Sequence, residues 1–144
     1  MKIYLDNCCF NRPFDDQKQL WIKLETEAKL DIQERIVQGK LELAWSYILD
    51  FENEANPFEQ RKFAIKDWKV HACVDADETK EILGTAERFE RMGVRSKDAL
   101  HLACAVAMKC EYFLTTDDQL VKKASGVTEI KVTDPISFVR EEIE

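Results

Sequence analysis

Short apolar runs alternate with longer amphipathic stretches along the whole chain, and this alternation predicts the architecture before any single residue does. Lys2 to Leu5 reads as a strand that ends at Asp6, and Asn7 to Phe14, with turn chemistry in Asn11-Arg12-Pro13, reads as a loop. From Asp15 to Gln38, Trp21, Leu24, Ala28, Ile32 and Ile36 recur at three- and four-residue intervals, and Gly39 stops the pattern. That spacing predicts a long amphipathic helix. Leu41 to Trp45 predicts a second strand, followed by a helix that Ser46 caps and that ends near Asn56, ahead of Pro57. Phe58 to Trp68 is again amphipathic, and Val70 to Val74 is short and apolar enough for a third strand. Asp75-Ala76-Asp77-Glu78 has capping-box character and opens a helix that runs to about Met92-Gly93.

Ser96 stands where it would cap the most apolar segment, Lys97 to Lys109. Alanines, leucines and Val106 make that segment apolar on most faces, so it should lie buried against a sheet. Tyr112 to Thr115 predicts a strand, Asp117 to Ala124 a helix closed by Gly126, Ile130 to Thr133 a last strand and Ile136 to Ile143 a terminal helix. Strands separated by helices predict an α/β fold with a mainly parallel sheet and right-handed crossovers. No repeat, low-complexity tract or linker divides residues 1–144, so a single domain is expected, large enough to bury ~70% of its unfolded surface.

Composition narrows the class. With 45% apolar and 34% charged residues the chain is neither disordered nor fibrous. Charges interrupt every apolar run well before the ~18 residues a membrane span needs. The first residues start as a strand and lack the apolar core of a signal peptide, so cytoplasmic residence is expected. Five cysteines, Cys8, Cys9, Cys73, Cys104 and Cys110, include no Cys-x-x-Cys pair and read as reduced, mostly buried thiols. Spacing of Cys8 and Cys9 from His71 or His101 is wrong for structural zinc. The net charge of −7 opposes broad attraction to nucleic acid. Contact with a phosphate backbone would therefore rest on cations in an acidic site and a few well placed basic residues.

The candidate chemistry lies in four acids. In open α/β sheets the ligand site lies beyond the carboxyl ends of the strands, where strand order reverses. Asp6 and Asp117 stand at strand ends, Asp98 follows a loop into the buried helix, and Glu52 lies about two turns into its own helix. Asp98 and Asp117 also suit the first turn of a helix for its dipole alone, and Glu52 among Asp50, Glu54 and Glu59 also reads as a surface residue. Asp6 has no such structural role. Clustered carboxylates are matched to a hard divalent cation. Arg12 and the run Arg88, Arg91, Arg95 and Lys97 read either as phosphate contacts or as solvated faces. Phe14, Trp45 and Trp68 read as core, and His101 reads as packing on the apolar helix or, one turn after Asp98, as approaching the site.

In order, Ile3-Tyr4-Leu5-Asp6-Asn7, Ser46 with Glu52 six residues on, Lys97-Asp98-Ala99-Leu100-His101-Leu102-Ala103 and Phe113-Leu114-Thr115-Thr116-Asp117 resemble the PIN domain (PilT N-terminus) family of nucleases over almost the whole chain. The resemblance implies a three-layer α/β/α sandwich with a parallel sheet of about five strands. It also implies RNA cleavage with Mg²⁺ or Mn²⁺ held by three or four acids. Many bacterial and archaeal members are toxins of the VapC type, so an antitoxin protein and a homodimer are implied partners.

Carried onto this chain, the resemblance makes Asp6, Asp98 and Asp117 metal ligands and catalytic acids, with Glu52 as the fourth and Glu54 as the alternative to it. Thr115 takes the hydroxyl position, Asn7 a small polar position, and Asp118 stands beside the ligands. Arg12, Arg91, Arg95 and Lys97 are the candidate RNA phosphate contacts. Cys8-Cys9 after Asn7 departs from the hydroxyl-rich start common in the family. The expected function is a divalent-metal-dependent endoribonuclease, the toxin of a toxin–antitoxin pair. The alternative is a PIN-like binding module with a weak or inactive metal site, acting through protein or RNA association. A phosphate-transferring enzyme with Asp6 as nucleophile is disfavoured, because Cys8 breaks the Asp-x-Asp pattern.

Overall fold

The computed structural model describes residues 1–143. Its centre is a five-stranded, wholly parallel sheet built from β1 (Lys2–Leu5), β2 (Glu42–Ser46), β3 (Ala72–Ala76), β4 (Tyr112–Leu114) and β5 (Lys131–Thr133). The spatial order is β3-β2-β1-β4-β5, so strand order reverses between β1 and β4. Parallel strands need crossover helices, and those helices cover both sheet faces. That is why Ile3, Tyr4 and Leu5 of the central strand are all fully buried.

The helices are α1 (Asn7–Asn11), α2 (Leu20–Val37), α3 (Tyr47–Glu54), α4 (Glu59–Trp68), α5 (Lys80–Arg91), α6 (Ser96–Ala107), α7 (Asp118–Lys123) and α8 (Pro135–Phe138). α6 behaves as its composition predicts, burying Ala99, His101, Leu102, Ala103, Cys104 and Ala105. One hydrophobic core joins the strands to α2, α3, α5 and α6. None of the described helices is long and apolar enough to cross a membrane.

Local chemistry moves several expected boundaries. Asn7 to Asn11 is a helix rather than a loop, because Asp6 caps it by accepting the Asn7 amide; a 3-10 turn over Arg12–Phe14 follows. α2 starts at Leu20 rather than Asp15, since Gln17 bonds back to the carbonyls of Arg12 and Asp15 and holds that stretch as a turn. Its buried face is also unlike the expected one. Glu25, Thr26, Lys29 and Gln33 lie inside with Ile32 and Ile36, while Trp21 and Leu24 are exposed. β3 lies two residues later than Val70–Val74, after a 3-10 turn at Lys69–His71, and it absorbs half of the supposed capping box. Thr79 caps α5 instead, accepting from Ile82. Ser96 is the first helical residue of α6 and Arg95 occupies the cap position. The terminal helix is α8 continued by a wider, π-type turn over Val139–Ile143.

The link from α5 to α6 places Asp98, and a glycine fixes it. The Gly93 amide bonds to the Glu90 carbonyl and the Val94 amide to that of Phe89, with Val94 packed into the core beside Phe89. This closure needs φ +100° at Gly93. Gly93→Ala is expected to cost ~1 kcal/mol, read as a lower urea midpoint at unchanged slope.

Candidate carboxylate site

At the reversal between β1 and β4 the carboxyl ends of the strands open into a cleft of about 400 Å³. Asp6, Glu52, Asp98 and Asp117 all line it, together with Asn7, Cys8 and Lys97. Four segments far apart in the chain meet there because each acid sits just beyond a strand end or within the first two turns of a helix that points at that edge.

Asp6 is the most tightly held. It is 6% exposed, and one carboxylate oxygen accepts the Asn7 amide at 2.8 Å while the other accepts the Thr115 hydroxyl at 2.8 Å. Thr115 is itself buried and accepts the Asp117 amide at 3.1 Å, so one hydroxyl couples the two strand-end acids. Cys8 joins this group. Its thiol donates to Asp6 at 3.4 Å and its sulfur accepts the Thr116 amide at 3.3 Å. The unusual sulfur of the first turn thus serves as part of the lining beneath Asp6.

Glu52 is fixed from the core side. His101 Nε2 donates to Glu52 Oε1, and Asn7 Nδ2 donates to Oε2 at 3.3 Å. His101 is fully buried, and its Nδ1 lies 2.5 Å from the Tyr4 hydroxyl, which in turn lies 2.6 Å from Ser46 Oγ. Ser46 caps α3, the helix that carries Glu52. Burial keeps the Tyr4 phenol protonated. Burial works to raise the Glu52 carboxyl, but the hydrogen bond and charge of His101, with Lys97 and Asn7, hold it below the usual range.

Asp98 and Asp117 face this pair. Asp117 caps α7 through Oδ1, accepting the Gln119 and Leu120 amides at 3.0 and 3.3 Å. The Asp98 carboxyl is raised above its usual range by burial first, and then by the charges of Asp6 and Asp117, against the opposing pull of His101. Like charges are therefore held close enough to resist one another.

The second acid is Glu52 by placement. Glu54 is turned out to Lys62 at 3.3 Å, and Asp50 bonds Trp45 Nε1 and Lys69. Asp118 is exposed in the first turn of α7 and does not line the cleft. Among the basic candidates, Lys97 lines the cleft, and Arg91 and Arg95 are exposed without an ion pair among the described residues. Arg12 does not line it. Its guanidinium is spent on Asp15 and Glu25, both at 3.0 Å. Arg88 pairs with Glu129. Trp45 is core as expected and Trp68 is partly buried against it, but Phe14 is 40% exposed. Sequence reasoning missed Tyr4, Asp15 and Cys8 as site neighbours; it read His101 first as packing and second as approaching the site one turn after Asp98, and His101 bonds Glu52. The buried polar spacing Tyr4, Ser46, His101 was the available signal.

The donor set suits a hard cation in kind. Every acid offers oxygen, and Asn7 Oδ1 is a buried oxygen with no hydrogen-bond partner beside them. Among the described residues no three His, Cys, Asp or Glu side chains already enclose a common point.

No family model and no curated protein matches the sequence. Solved structures do match in fold. The chain aligns with FitAcB from Neisseria gonorrhoeae at TM-score 0.62 and 13% identity, over 92% of this chain and 97% of that one. VapBC-1 from nontypeable Haemophilus influenzae aligns at TM-score 0.60 and 15% identity, over 94% and 98%. VapBC2 from Rickettsia felis, solved bound to a DNA fragment from its promoter, aligns at 0.58 and 12%, over 93% and 98%. The fold is thus the PIN-like three-layer sandwich, with an all-parallel five-stranded sheet.

Proposed function

We propose that this chain is a divalent-cation-dependent ribonuclease that hydrolyses RNA phosphodiester bonds, with Asp6, Glu52, Asp98 and Asp117 holding Mg²⁺ or Mn²⁺. The observation that carries this reading is the meeting of four carboxylates from four distant segments in one cleft at the sheet's reversal point. When bound, the cation supplies charge neutralisation for the phosphate and acidifies a water for in-line attack. The chain's own residues do the positioning. Thr115 aims Asp6, His101 and Asn7 aim Glu52, and Lys97 stands in the cleft to meet a flanking phosphate. Arg91 and Arg95 extend that contact along the surface; Arg12, bound to Glu25, serves the fold instead.

A toxin restrained by an antitoxin is the biological role we infer, supported by the VapBC names of two fold matches and by the sequence resemblance. Exposed Leu20 and Trp21, with Phe51, Phe58 and Phe63, offer apolar surface for such a partner or for a second copy of the chain. A cytoplasmic single-domain protein fits this role.

The alternative is a binding module. It is favoured by the engagement of Glu52 with His101. Two measurements separate the readings. An RNA panel incubated with Mg²⁺ or Mn²⁺ should be cut by the parent and spared by Asp6→Asn; equal cutting by both would sink the nuclease. Mn²⁺ at a hundred times its dissociation constant should stabilise the fold by ~2.7 kcal/mol, and an unmoved melting temperature at millimolar Mn²⁺ would favour the module.

A further inference from the structure

A second cavity, of about 160 Å³, lies between α1, α2 and α4 and shares no lining residue with the carboxylate cleft. A void of this size, ~150 Å³, holds a benzene ring. Its walls are mostly apolar and include the rings of Phe10, Phe14 and Trp68. Two polar side chains interrupt them. Lys29 and Gln33 stand four residues apart on α2, on one face of the helix.

Lys29 is 3% exposed and makes no hydrogen bond or ion pair among the described residues; Gln33 is 5% exposed and its Nε2 is buried and unbonded. Burial lowers the Lys29 ammonium to about 8, so near neutral pH it remains mostly charged. The Phe10 and Trp68 rings lie 5.3 and 5.8 Å from Lys29 Nζ and offset part of the cost of burying that charge. They do nothing for the Gln33 amide. The Gln33 amide N–H is thus a buried donor without an acceptor, on a cavity that the Lys29 side chain also lines.

We propose that this cavity binds a small monocarboxylate, its apolar or aromatic body held against the Phe10 and Trp68 rings and its carboxylate accepting from Lys29 Nζ and Gln33 Nε2. A carboxylate supplies what the site lacks: two acceptor oxygens and one negative charge. A neutral molecule of the same shape fills the space but leaves the ammonium unpaired. The same chemistry is available from a free organic acid or from the carboxyl end of a peptide. This inference does not depend on the ribonuclease reading.

The test uses the full chain and three probes: phenylacetate, phenylacetamide and an acetylated tripeptide ending in a free phenylalanine carboxylate. Side-chain amide resonances of Gln33 are followed by NMR during titration at millimolar concentrations, with Lys29→Met as the variant. Phenylacetate should move the Gln33 resonances and bind at least about tenfold more tightly than phenylacetamide. Lys29→Met should lose that preference while still admitting the amide. Movement with the tripeptide alone would assign the carboxylate to a polypeptide end. Unmoved Gln33 resonances with both carboxylates, equal binding of acid and amide, or an intact acid preference in Lys29→Met would each overturn the proposal. The acid-against-amide comparison on the unaltered chain decides even if the variant fails to fold.

Discussion

Asp98→Asn is expected to reduce cation-dependent RNA cleavage about a thousandfold while raising the melting temperature of the cation-free protein. The two effects have one cause. Asp98 is half-buried, and burial together with Asp6 and Asp117 holds its carboxyl above the usual range. A carboxyl raised in this way favours its protonated form in the folded chain. Its cost is absent below the unfolded pKa of ~4 and is fully present once the pH exceeds the folded value. The stability of the parent relative to the variant should therefore fall as pH rises from about 4 and level off towards neutrality. Adding Mn²⁺ should reverse the order, since the parent gains the binding free energy and the variant loses a ligand. Urea midpoints with EDTA and with Mn²⁺ at acid and neutral pH measure all of this. A stability gap indifferent to pH would show that Asp98 carries no such load.

Arg12→Leu should have the largest effect on stability, ~3 kcal/mol at neutral pH, although Arg12 lies outside the catalytic proposal. Its guanidinium bonds Glu25, whose side chain is only 2% exposed in the middle of α2. Burial already raises the Glu25 carboxyl, with Arg12 opposing the rise. Without Arg12 the carboxylate would be buried and unpaired, and its pKa would climb further. The variant should therefore lose stability as pH rises through that new value and regain it in acid. Replacing Glu25 by leucine as well should recover most of the loss, because an apolar pair of similar volume carries no desolvation penalty. A variant that melts like the parent at neutral pH would show that the pair is dispensable. Arg12 also grips Asp15, which lines the cleft, so the same substitution should loosen the cleft's rim.

Much of this fold was legible because the inner strands β1 and β4 carry unbroken apolar runs. Ile3-Tyr4-Leu5 and Tyr112-Phe113-Leu114 are buried on both faces, as parallel strands must be, and they announce themselves as short unbroken runs. What was not legible were places where a side chain outvotes the pattern. Asp6 was read as a strand-end acid, but its second task, capping α1, turns a Pro-containing loop into a helix. On α2 the period was right and the face wrong, because Glu25 and Gln33 are inside while Trp21 is out. Periodicity cannot foresee a buried carboxylate whose partner, Arg12, lies thirteen residues earlier across a turn. At the candidate site, the order of the acids brought four of them to one cleft. Spacing from Ser46 favoured Glu52 and left Glu54 open; the helix's rotation puts Glu52 on the cleft and turns Glu54 out to Lys62.

Asp6 and Asp117 lie 111 residues apart in the chain (117 − 6), yet β1 pairs directly with β4, and Thr115 bonds Asp6 across that seam. Contacts that close so long a loop form late, after the local helices. A chain emerging from the ribosome would hold Asp6 and Glu52 long before Asp98 and Asp117 existed. The cleft therefore cannot assemble until the segments carrying all four acids, the last of them at Asp117, have been made.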